Sequence, residues 1–195
     1  MDRFLAEASE PGPAHRTHLW LTHRVHRDAL YETAARRGVP GWLAPPVSFF
    51  SALPRLFGIA GRPAGVFRRQ LVLGRLAARE GARRGLRAGR GLGRAFDALF
   101  GEWLAEGVTP EAAEAALSHL DGDDAARARN AWVLAVFRAY LWTLEAWGRY
   151  DPRALHGLVA RRIREGGLGP ALGGAQSLHI YGVTSLAARR RLFEA

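Results

Sequence analysis

The sequence predicts an α/β fold that is mostly helical, a small parallel sheet with a large α-helical insertion. Three observations lead there. Short apolar runs stand near both ends, at residues 18–22, 47–50 and 178–181. Between them, over 65–176, apolar residues recur at helical spacing. The first two runs alternate with helical segments, and strand–helix–strand–helix order suits parallel pairing with a right-handed crossover. A strand so near the C-terminus needs neighbours, and only the first fifty residues offer any. The expected organisation is therefore one α/β subdomain from residues 1–64 and 177–195, with 65–176 as the helical insertion.

Residues 1–16 read as a poorly ordered lead-in ending in Pro11, Gly12 and Pro13. The run HLWLT (18–22) is the first strand. Val25, Ala29, Leu30 and Ala34 mark a helix over 24–37, and Gly38 stands where a C-terminal cap belongs. After a turn-rich connection (40–46), 47–50 is the second strand. Ser51 is placed to cap a helix burying Leu53, Leu56 and Phe57, with Pro54 in its first turn. The stretch 58–65 is a boundary.

In the insertion, Phe67, Leu71, Leu73 and Leu76 mark one helix, and Phe96, Leu99, Phe100, Trp103 and Leu104 the next. Thr109 with Pro110 and Glu111 is a strong helix start. Asp123 or Asp124 opens the longest helix, to about Trp147, with Val133, Phe137, Tyr140, Leu141, Leu144 and Trp147 on its apolar face. Asp151 and Pro152 start a helix to about Arg164. A flexible link (166–174) leads to the buried strand 178–181. Thr184 or Ser185 then caps a terminal helix with Leu186, Leu192 and Phe193 on its apolar face.

All 28 basic residues are arginine, and there is neither lysine nor cysteine. A GxxxxGK[ST] phosphate loop is therefore excluded, as are Schiff-base chemistry, disulfides and thiolate catalysis. No apolar run approaches the roughly 18 residues of a membrane span, and the N-terminus lacks an apolar signal core, so the expected location is cytoplasmic and no membrane role is expected. A net charge of +10 favours a polyanionic partner, nucleic acid first. The all-arginine, alanine- and glycine-rich composition equally suits a GC-rich genome with a solvated basic surface.

The run 85–94, GLRAGRGLGR, has the glycines and arginines of a phosphate cradle, but no strand precedes it, and an interhelical loop is the better expectation. Its Arg87, Arg90 and Arg94 are candidate contacts to DNA phosphates, with Arg161 and Arg162, and with Arg189, Arg190 and Arg191 in the terminal helix. His18, His23 and His26 lack a suitable carboxylate for a metal site, and His119, His156 and His179 stand alone. Asp121, Asp123 and Asp124 suit a helix N-terminus better than a cation site. No catalytic set stands out, and no cofactor or metal is expected in this chain. If DNA binds, Trp103, Trp132 and Trp142 are expected to report it by quenching. The rival expectation is a helical protein–protein scaffold.

The order of segments resembles the N-terminal, inactivated helicase-like half of the B subunit of AddAB-type ATP-dependent helicase–deoxyribonucleases, within the PD-(D/E)XK nuclease proteins. The stretches HLWLTHRVHRDALYETAARRG, APPVSFFSALPRLFG, GRAFDALFGEWLAEGVTPEA, RARNAWVLAVFRAYLWTLEAWGRYDPRAL and SLHIYGVTSLAARRRLFEA carry the likeness, over residues 17–195. The resemblance implies a superfamily 1 motor subdomain (1A-like) interrupted by a helical 1B-like insertion. It implies a non-catalytic part of a DNA repair enzyme acting on double-strand breaks, with DNA and a helicase–nuclease subunit as partners. Where an active helicase carries an acidic pair, this chain has Tyr181, Gly182, Val183 and Thr184. The family's phosphate loop, second motor half and nuclease are missing, so the chain is expected to be a fragment whose ATP and nuclease chemistry belongs to a longer parent.

Overall fold

The computed structural model describes residues 2–9, 17–21, 25–39, 47–87, 89–120, 122–166 and 177–182. Helices account for 69% of these residues, and the main sheet has three parallel strands. The chain divides into two compact units, one of Met1–Ile59 and Val159–Ala195, the other of Ala60–Leu158.

In the first unit, β1 (Thr17–Leu21) is the central strand, with β2 (Val47–Phe49) on one side and β5 (Ser177–Tyr181) on the other. Leu19 faces Val47 across one ladder and His179 across the other. Successive strand residues point to opposite faces, and Leu19, Trp20 and Leu21 are all buried, so both faces of β1 are covered. On one face lie Phe4 and Leu5 of α1 (Asp2–Ser9) and Leu30 and Ala34 of α2 (Val25–Arg36), packed with Leu19 and Leu21. On the other, Trp20 meets the rings of Phe50 and Phe57 edge-on at 5.8 and 5.9 Å. Gly38 ends α2 with φ +66°, a conformation glycine adopts without a Cβ penalty, and the Val39 amide returns to the Ala34 carbonyl at 3.0 Å.

Three expectations change here. The lead-in holds a helix, α1, because Phe4 and Leu5 find a complete apolar seat and Glu7 is held by β5. Ser51 does not cap a helix. It sits inside a 3-10 turn (Phe50–Ala52) that tightens directly into α3 (Leu53–Leu56), which starts without a side-chain cap. The last strand is half-buried rather than buried, since among the described residues it has a neighbouring strand on one side only. The segments 10–16 and 167–176 and the terminal helix expected after Thr184 or Ser185 lie outside the described residues.

In the second unit, α4 (Val66–Ala82), α5 (Leu92–Ala105) and α7 (Asp124–Ala146) share one core, and α6 (Pro110–Ser118) packs on α7. Leu73, Leu76 and Ala77 of α4 pack with Phe96, Phe100 and Leu104 of α5 and with Trp132, Val136, Phe137, Tyr140 and Leu144 of α7. Phe100 is the hub, 4.8 Å from the Phe137 ring and 5.2 Å from Phe96. The caps fall where the sequence puts them: Thr109 Oγ1 accepts from the Ala112 amide at 3.2 Å and Asp123 Oδ1 from the Ala126 amide at 2.8 Å. A two-residue parallel pair, β3 (Arg62–Pro63) with β4 (Arg149–Tyr150), joins the start of the unit to the segment after α7. Asp151 then caps a 3-10 turn (Pro152–Ala154) leading into α8 (Leu155–Gly166).

On α4 the residues that mark the helix do not all face the core, and on α7 the buried face differs from the sequence reading. On α4, Phe67 is 80% exposed and Leu71 is also exposed, while Val72, Leu73, Leu76 and Ala77 are buried. The series Phe67, Leu71, Leu73, Leu76 mixes two sides of the helix, and the neighbouring helices cover only one. On α7, Trp147 is exposed, whereas Trp132, Leu134 and Val136 join the buried stripe. Contacts with α4 and α6 widen that stripe beyond a single 3.6-residue line.

Candidate nucleic-acid interface

Charge in the second unit is segregated along the chain. Residues 75–94 hold seven arginines and one glutamate, whereas the rest of Ala60–Leu158 holds ten carboxylates and eight arginines. A composition bias that scattered arginine evenly would not produce that contrast. The seven arginines occupy the second half of α4, the connection to α5 and the first turn of α5.

The glycines of this connection serve packing and turning. Gly85 and Gly91 take positive φ and turn the chain between the helices. Gly93 is where α4 and α5 touch: a Cβ there would overlap the Gln70 carbonyl oxygen. The segment is thus an interhelical connection, and Arg87, Arg90 and Arg94 are exposed on it with no carboxylate partner among the described residues.

The arginines at the end of α4 are organised differently. Glu80 is buried and its two oxygens accept from three guanidinium groups: Arg79 and Arg83 on Oε1, Arg84 on Oε2, each at 3.1 Å. Burial works to raise the Glu80 carboxyl, and the three guanidinium groups outweigh it and hold it below the usual carboxylate range. One carboxylate thus pins three cations, and the cluster keeps an excess of positive charge.

Arg161 and Arg162 are exposed on α8 and share Glu165, at 3.6 and 3.5 Å. Arg189, Arg190 and Arg191 lie outside the described residues. Of the histidines, His18 is buried against Ser48 at 3.0 Å, His26 meets the Tyr181 ring edge-on, His179 Nε2 lies 2.8 Å from Glu7 Oε2, and His119 ends α6. His23 and Asp121 lie outside the described residues. Asp124 pairs with Arg127. Among the described residues no cluster of histidine and acidic side chains could hold a metal ion. Of the three tryptophans, Trp132 is buried with its Nε1 donating to the Ala77 carbonyl at 3.1 Å, Trp103 is half-buried, and Trp142 is 70% exposed.

The densest polar assembly was not apparent from the sequence. Arg69 of α4, Asp97 of α5, Tyr140 of α7 and the pair Asp151 and Arg153 meet in the core of the second unit. Arg69 Nε donates to Asp97 Oδ1 at 2.9 Å, and Arg153 Nη2 donates to Asp97 Oδ1 and Asp151 Oδ2, both at 2.7 Å. Tyr140 Oη donates to Asp151 Oδ2 at 2.7 Å. Gly101 leaves room for the Arg153 guanidinium, which an added Cβ would overlap. Burial opposes ionisation of both aspartates, yet hydrogen bonds and charge from the arginines hold their carboxyls low. Burial and the Asp151 charge push the Tyr140 hydroxyl up, so it stays protonated and donates. Two cations balance two anions, each carboxylate is fully engaged, and the cluster ties four segments together. The sequence carried a signal: Arg69 and Asp97 stand on otherwise apolar helix stripes, beside Val72 and Phe96.

No family model and no curated protein matches the chain. Among the described residues, no helix is long and apolar enough to cross a membrane.

Proposed function

We propose that this chain is a non-catalytic module that binds DNA through the phosphate backbone, using the arginine-rich segment 75–94. The observation that carries the reading is the segregation of seven arginines against one buried glutamate in a unit otherwise richer in carboxylates. Arginine suits the task because its planar fork offers paired donors to phosphate oxygens and stays charged. Arg87, Arg90 and Arg94 are free to make such contacts, and Arg161 and Arg162 add weaker ones because Glu165 competes for them.

The setting we propose is the DNA-contacting part of an ATP-dependent helicase–nuclease subunit acting in double-strand break repair. Support comes from the resemblance above and from a parallel sheet whose β2 and β5 are separated in sequence by a helical unit. Duplex affinity measured at rising salt tests the binding. Released counterions make log affinity fall linearly with log salt. A flat response, or no binding near physiological salt, would sink the proposal.

The scaffold reading keeps one observation in its favour. Val66, Phe67 and Leu71 are exposed at the start of α4, as a docking stripe for a partner subunit would be. Phe67→Asp separates the two readings: it leaves DNA affinity unchanged in the first and abolishes partner association in the second.

A further inference from the structure

The groove beside the Glu80 cluster has a composition that the backbone-binding reading does not use. It is an open groove of about 580 Å³ between the end of α4 and α7. Arg79, Arg83 and Arg84 stand on one side, and Arg138 and Trp142 of α7 on the other. Ala131, Ala135 and Ala139 line it at intervals of four residues, which puts them on one stripe of α7 and keeps that wall low. Trp142 is 70% exposed, although an indole is among the largest apolar surfaces a protein can bury. A second open depression of about 450 Å³ borders this trough, sharing Glu114, Ala131 and Leu134 with it and lined further along α7 by Arg127 and Asn130. From Arg127 to Trp142 the helix spans about 22 Å at 1.5 Å per residue.

We propose that this trough binds a single strand of nucleic acid, with a base stacked on Trp142 and the backbone phosphates on Arg79, Arg83 and Arg84. The proposal rests on the DNA-binding reading above and adds the strandedness of the ligand and the site that recognises it. An exposed aromatic ring offers nothing to a paired base, whose faces are covered by its neighbours, whereas an unpaired base stacks on it readily. Glu80 holds the three guanidinium groups in place before the ligand arrives, so little side-chain freedom is lost on binding. Each guanidinium carries five N–H donors, and Glu80 engages only a minority of them. The trough carries four guanidinium groups against Glu80 and Glu114, and Glu114 is itself paired with Arg138 at 2.7 Å. The phosphate path therefore follows the α4 side.

The test uses the full chain, a short fluorescein-labelled oligothymidylate and a duplex of matched length. Trp142→Ala should weaken oligothymidylate binding by about tenfold, the scale of one lost base stack, and leave duplex binding unchanged. Trp142→Phe should keep most of the affinity while removing most of the tryptophan quenching seen with the single strand. Arg83→Gln should weaken single-strand binding and lower its salt dependence. The side chains of Trp142 and Arg83 are exposed, so the variants should melt with the wild type. If duplex binds with the expected salt dependence but Trp142→Ala binds oligothymidylate as tightly as wild type, this proposal fails and backbone binding stands. Equal weakening of both ligands by Trp142→Ala also overturns it. If wild type binds neither at low salt, both readings fall.

Discussion

Asp151→Ala should be among the most damaging single substitutions in the second unit. Asp151 is 2% exposed, and its carboxylate accepts from Tyr140 Oη at 2.7 Å, from Arg153 Nε and Nη2 at 2.9 and 2.7 Å, and from the Arg153 amide at 3.0 Å. Arg69 Nε stands 3.7 Å away. Removing the carboxylate leaves two guanidinium groups facing one aspartate, with Arg69 buried. Breaking a buried ion pair from one side costs about 3–5 kcal/mol. The orphaned Tyr140 hydroxyl adds about 1–3 kcal/mol, part of which relaxation recovers. A loss of at least about 3 kcal/mol is large against the roughly 5–15 kcal/mol that holds a domain together. Urea unfolding followed by tryptophan fluorescence reads this directly. With a slope of about 1–3 kcal/mol per molar urea, the midpoint should fall by about 1–3 M. Glu114→Gln is the control, because the Arg138–Glu114 pair is 46% and 56% exposed and should cost no more than about 1 kcal/mol. Adding Arg153→Met to Asp151→Ala should restore part of the loss, since the buried charges balance again. A change below about 0.5 kcal/mol for Asp151→Ala would refute the view that this cluster holds the unit together.

Two further outcomes are expected. Gly93→Ala should destabilise the second unit by at least about 1–3 kcal/mol, because the new methyl must push α4 and α5 apart, and thermal melting would show it. Glu7 is the pH-sensitive contact of the first unit. Hydrogen bonds from His179 and Arg3 lower its carboxyl from 4.5 to about 2. The unfolded chain therefore takes up this proton first as pH falls. The stability Glu7 contributes is complete above pH 4.5 and is lost as pH falls towards 2. Glu7→Gln should melt with a shallower dependence on pH than wild type over that interval, and an unchanged profile would count against the Glu7–His179 contact.

The strands and helices were legible wherever one local rule decides them. HLWL, VSF and LHIY are short apolar runs between turn signals, and each is a strand. Thr109, Asp123 and Asp151 cap as their residue types and following residues require. What was not legible is what tertiary contacts decide. Phe67 and Leu71 are apolar at helical spacing yet face outwards, because α5 and α7 cover the other side of α4. Phe4 and Leu5 are too few to signal a helix alone, and the sheet supplies their seat. The interface was half legible. Arg87, Arg90 and Arg94 stand out in sequence, and Arg83 and Arg84 follow Glu80 by three and four residues, the helical pairing distance; only their placement beside Trp142 depends on α7 packing against α4. The Arg69–Asp97–Asp151–Arg153 cluster joins residues up to 84 positions apart, beyond the reach of any spacing rule.

The most direct test of the central claim compares the salt dependence of duplex binding between wild type and an Arg87→Gln, Arg90→Gln, Arg94→Gln variant. Each lost phosphate contact should make the log–log slope less negative by about 0.9, or about 2.7 for three, with weakening that is the same for every duplex sequence. An identical slope and affinity in the variant would show that Arg87, Arg90 and Arg94 do not meet the phosphates, and the account of this chain as a module that holds the DNA backbone through them would fail.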